Sequence, residues 1–143
     1  MKPPLALLIA LTLPVSALAS PVGEWTTEGS KARVRIAPCA ADAAKLCGTI
    51  TWSYRPADVP AGRPLVDVNN SDPALRSRPI VGLPLLQGFE PDGTNAWAGG
   101  TIYDPEGGKT YKSKLRLKGA DELEVDGCVL FFCESQTWTR WRG

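Results

Sequence analysis

The sequence predicts an all-β protein: a small antiparallel barrel of about eight short strands, closed or nearly closed, with one long loop that carries a short helix. Three observations lead there. Short runs alternate between apolar and polar residues, the period of two expected of a strand with one buried face. The 14 Gly and 13 Pro fall between those runs, where they favour turns over long helices. The four cysteines form two close pairs, Cys39/Cys47 and Cys128/Cys133, each at a point where the chain has to reverse. Closing the sheet removes the exposed edges through which small β proteins aggregate.

In chain order, residues 1–19 read as a secretory signal peptide. Lys2 gives the positive start, Leu5 to Leu13 the apolar core and Pro14 its break; Ala17-Leu18-Ala19 then places cleavage before Ser20. A spanning helix needs about 20 apolar residues and this run is about half that, so no membrane span is expected. Residues 20–143 remain as a single domain, long enough to bury a core. Export to the periplasm or beyond sets the cysteines in an oxidising compartment, where 39–47 and 128–133 read as disulfides. A zinc site built from all four is the competing reading, but the gaps fit the usual knuckle spacing poorly.

Gly23-Glu24-Trp25 opens the first strand. Lys31 to Ile36 alternates strictly, with Ala32, Val34 and Ile36 facing inward. After the first cysteine pair, Thr49 to Tyr54 alternates again and places Ile50, Trp52 and Tyr54 inward. Ala96 to Tyr103 and Thr110 to Lys118 pair across the Asp104-Pro-Glu-Gly-Gly108 turn; Tyr111, Leu115 and Leu117 face inward and Lys112, Lys114, Arg116 and Lys118 outward. Glu122 to Val125 and Phe131 to Trp141 supply the last two strands, joined at the second cysteine pair.

The stretch from Tyr54 to Arg78 does not alternate. It carries Pro56, Pro60, Pro64, Asn69-Asn70 and Asp72-Pro73, and the last pair matches a helix cap and first position for a short helix from Pro73 to Arg78. A connection this long is expected to cover one barrel end or to carry function. Pro79 to Leu86 is apolar, but its two prolines argue against a central strand and favour a place at the barrel mouth.

Composition excludes several functions. Without Lys2, basic residues match the 15 acidic ones, so no global charge steers the chain to nucleic acid. There is no His, which removes Ser-His-Asp and Cys-His catalysis and the commonest metal ligand. No cofactor is expected.

The ordered set of Gly23-x-Trp25, Leu46-Cys47-Gly48-x-Ile50-x-Trp52, Asn70-x-Asp72-Pro73-x-Leu75-Arg76-x-Arg78-Pro79-Ile80-x-Gly82, Trp97-x-Gly99-Gly100-x-Ile102-Tyr103-Asp104-Pro105, Gly108-Lys109-x-Tyr111, Gly127-Cys128 and Gln136-Thr137-Trp138-x-Arg140 covers nearly all of the exported chain. It resembles the bacterial exported family known as domain of unknown function 2147, and the arrangement of Trp25 and Arg140 resembles that of lipocalins. The resemblance implies a lipocalin-like barrel in which Trp25 seals one end and Arg140 packs across its indole. It implies no established activity.

Candidate site residues follow. Trp52, Trp97, Tyr111 and Trp138 are placed near an internal pocket, with Arg76 and Arg78 as cationic groups at its mouth for an anionic group or surface. Inward aromatic residues serve a filled core equally well. Asp67-x-Asn69-Asn70-x-Asp72 partly matches a calcium loop but lacks its central Gly and its terminal Glu, so Asx turns explain it better and no metal is expected. Three functions compete: a barrel holding a small apolar or amphipathic ligand, a filled barrel that contacts an envelope protein, and an enzyme using Asp67 or Asp104 as general base.

Overall fold

The structure, a computed structural model, describes residues 1–4, 7–13 and 19–143. Leu5, Pro14, Ala17 and Leu18, on which the signal-peptide reading partly rests, lie outside the described residues. No helix among the described residues is long and apolar enough to cross a membrane.

Eight strands run in order: β1 (Gly23–Thr26), β2 (Ala32–Pro38), β3 (Leu46–Ser53), β4 (Pro84–Pro91), β5 (Ala96–Asp104), β6 (Lys109–Leu117), β7 (Glu122–Val129) and β8 (Phe132–Arg140). Each pairs antiparallel with the next, and β8 returns to β1 to close the barrel. The closing seam is short, joining Trp25 to Arg140 and Thr26 to Thr139. The only helical turns among the described residues are 3-10 turns at Glu28–Ser30 and Pro73–Leu75.

The alternating runs explain the core. Val34 and Ile36 from β2, Ile50 from β3, Leu115 and Leu117 from β6, Leu123 and Val125 from β7, and Trp138 from β8 all point inward and are buried. Both cysteine pairs are disulfides. One closes the β2–β3 loop; the other spans the β7–β8 hairpin, where Cys128 and Cys133 are direct partners.

Three sequence expectations change. The alternation from Thr49 to Tyr54 does not hold, because Arg33 pairs with Trp52 while its neighbour Val34 pairs with Ile50, leaving Thr51 as an extra residue. That bulge turns Trp52 onto the outer face beside Arg33, so Trp52 is 39% exposed and Tyr54 55%. Second, the apolar run after Arg78 is not confined to the barrel mouth: it leads into β4, and of the run's two prolines Pro79 precedes the strand while Pro84 is the strand's first residue, where a missing N–H does least harm. Third, the short helix ends at Leu75 rather than Arg78; Asp72 caps it as expected, accepting from the Ala74 N–H at 2.9 Å.

Candidate functional site

Trp25 is fully buried, with its indole N–H donating to the Pro21 carbonyl at 2.8 Å. The Arg140 guanidinium lies 4.3 Å from the ring centroid. It also donates to the carbonyls of Ala120, Val22 and Ser20 at 2.7, 3.0 and 2.8 Å, tying the segment before β1 to the β6–β7 turn.

The four aromatic residues assigned to an internal pocket separate. Trp138 is buried in the core with its indole N–H on Gln136 Oε1, and Trp97 packs against that core. Tyr111 is half-buried near the opposite end of β6, across from Ile102. Trp52 stands outside, where the Arg33 guanidinium lies 4.9 Å from its ring centroid and 4.3 Å from that of Trp141. The interior is closely packed at two glycines. A β-carbon at Gly100 would come within 2.5 Å of the Phe89 ring, and one at Gly48 within 3.0 Å of Leu86 and Val34. On the outer face of β2–β4, a hollow of about 600 Å³ combines Ala37, Pro38 and Pro84 with the polar Arg35, Thr49 and Gln87.

The long loop is fastened by a buried carboxylate. Asp67 is 1% exposed and accepts from the Tyr103 hydroxyl at 2.7 Å, Asn70 Nδ2 at 2.8 Å and Arg78 Nε at 2.9 Å. Burial pushes its pKa up, but these three donors and the Arg78 charge outweigh it and hold Asp67 below the ordinary carboxylate range. Burial and the neighbouring Asp67 carboxylate in turn push the Tyr103 phenol up. A carboxylate so held is a weak proton acceptor, the opposite of what a general base near neutrality needs. Both Asp67 oxygens are engaged, and Arg78 supplies the positive charge that a calcium ion would bring. Among the described residues no three His, Cys, Asp or Glu side chains gather into a metal site.

Of the two arginines assigned to a mouth, Arg78 lies over the Tyr103 ring at 5.2 Å and Arg76 donates to the Asn70 carbonyl at 2.8 Å. Both therefore brace the loop. Asp104 accepts from the Glu106 N–H within its turn. Nothing in the sequence pattern connected Asp67 to Tyr103, which lie 36 residues apart.

A further feature escaped sequence reasoning. At the tip of the β7–β8 hairpin, Val129, Leu130, Phe131 and Phe132 are 56, 90, 97 and 82% exposed. Its trace in the sequence was an apolar run, unbroken by any polar residue, between Cys128 and Cys133. A two-residue turn leaves such side chains no interior to enter.

The eight-stranded closed antiparallel barrel, with Arg140 stacked on Trp25, is a lipocalin-like fold. It is similar in structure to a protein from the human pathogen Helicobacter pylori, HP1028, described as belonging to the lipocalin family. The TM-score is 0.73 at 21% identity, covering 87% of this chain and 84% of that one. No curated protein matches the sequence. Residues 23–140 match DUF2147, described as an uncharacterized protein conserved in bacteria, and the chain belongs to that family.

Proposed function

We propose that the protein is a non-enzymatic binding module, exported to the cell envelope, that works through its outer surface while its barrel interior serves as core. The observation that carries this reading is the close fit of Phe89 against Gly100, which supports an interior packed with side chains rather than open to a ligand. The saturated Asp67 supports a structural rather than catalytic use of the one buried carboxylate among the described residues. Two disulfides and the signal-like N-terminus support export.

A second reading keeps the small ligand but moves it outside. The hollow on β2–β4 pairs apolar Ala37, Pro38 and Pro84 with Arg35 and Gln87, a lining that suits an amphipathic molecule. Native mass spectrometry of the protein recovered from the periplasm separates the two. The surface reading expects a bare chain beginning at Ser20, lighter by the four hydrogens lost to two disulfides. An added mass that leaves on unfolding would replace it with the ligand reading, and recovery from the cytoplasm with an intact N-terminus would overturn export.

A further inference from the structure

The β7–β8 hairpin runs past the barrel wall. β1 meets β8 only at Thr139 and Arg140, so Phe132 to Thr137 pair with β7 alone and are exposed along their length. At the end of this ribbon stand the four apolar side chains Val129 to Phe132. Leu130 occupies a left-handed conformation, φ 53°, which an unbranched glycine or an asparagine fills more readily. An apolar pair thus holds a turn position where polar or glycine chemistry folds better. Cys128–Cys133 crosses the ribbon just beneath it.

We propose that this tip docks the protein on an anionic lipid bilayer by inserting Leu130, Phe131 and Phe132 into the interfacial zone. The inference rests on the reading that the protein works through its outer surface, and it names the partner. Two observations favour a bilayer. The tip is convex, and its backbone is already paired, Val129 with Phe132 and Cys128 with Cys133, so insertion strips water from few unsatisfied peptide groups. Beside it, β6 presents Lys112 and Lys114 outward and carries the exposed Lys109 at its first position; Lys112 stands across from Cys128, and among the described residues none of the three is in an ion pair. Apolar side chains at a tip with lysines along the flank match a layer of acyl chains beneath anionic headgroups. Two of these lysines have an acid across from them in register, Lys114 with Asp126 and Lys109 with Asp104, without forming an ion pair; Asp126 is engaged instead by the Ser135 hydroxyl, and Lys112, across from Cys128, has no acid opposite.

The test is flotation of the protein purified from the periplasm with phosphatidylglycerol–phosphatidylethanolamine vesicles, and separately with phosphatidylcholine vesicles. The wild type is expected to float with the anionic vesicles. The Phe131→Ser/Phe132→Ser variant should lose about tenfold or more in partitioning, and Lys109→Glu/Lys112→Glu should weaken it and remove its salt dependence. Thermal midpoints should stay unchanged, because every substituted side chain is exposed. Absence of wild-type flotation, or equal flotation of the tip variant, would overturn the proposal. So would a dimer in sedimentation that the tip variant abolishes without any vesicle binding, since the tip would then belong to a second copy. Such failures leave the surface-acting barrel standing; a bound ligand detected by native mass spectrometry is what removes that.

Discussion

Arg140 and Trp25 are partners three times over: they face each other in the seam that closes the barrel, the guanidinium stacks on the indole 4.3 Å from its centroid, and both donate to carbonyls of the segment from Ser20 to Val22. A lysine reaches the same space but offers neither a flat stacking surface nor several divergent donors. Arg140→Lys should therefore lower the thermal midpoint nearly as far as Arg140→Ala. The loss is on the order of 3 kcal/mol by chemical denaturation. A lysine variant as stable as wild type would reduce the contact to simple charge.

The Asp67 anchor makes the long loop sensitive to acid. Its folded-state pKa is depressed, so its contribution is present above the unfolded carboxyl value of about 4 and is lost as pH falls through the lower folded value. Limited proteolysis between Tyr54 and Gly82 should accelerate over that acid range, before the barrel itself unfolds. Asp67→Asn should show the same rapid cleavage already at neutral pH, since the pairing with Arg78 is lost.

Gly100→Ala tests how full the interior is. The new methyl would meet the Phe89 ring at 2.5 Å, and displacing that ring should cost about 1–3 kcal/mol in urea unfolding. An unchanged midpoint would show free space beside Phe89 and so favour an internal ligand.

The disulfides close loops with sequence separations of 8 and 5 residues. Chain entropy gives each about 2–2.5 kcal/mol. Replacing both members of either pair with serine should produce losses of that size, additive in the quadruple variant because the pairs lie in different hairpins.

Much of the barrel was legible because half-buried strands write their register into alternating residues, as in Lys31–Ile36 and Thr110–Lys118. Thr51 broke the rule: a single unpaired residue reverses every side chain that follows, and no residue type announces it. β4 stayed hidden because Pro79 and Pro84, which read as breakers, stand just before it and at its first position. The Asp67–Tyr103 bond joins two segments that only tertiary folding brings together. The apolar tip was visible but was absorbed into a strand, since periodicity describes which face a residue takes and not whether that face is covered.

Because β1 and β8 are neighbours, the barrel is completed by the two ends of the domain meeting. A chain made from its N-terminus must carry β1 with one unpaired edge until Arg140 has been delivered, and only then can Trp25 receive its guanidinium cover. The end of β8 is thus the latch. A chain that stops before Thr139 and Arg140 leaves two open edges and an uncovered Trp25, which makes it easy to distinguish from one that carries the whole of β8.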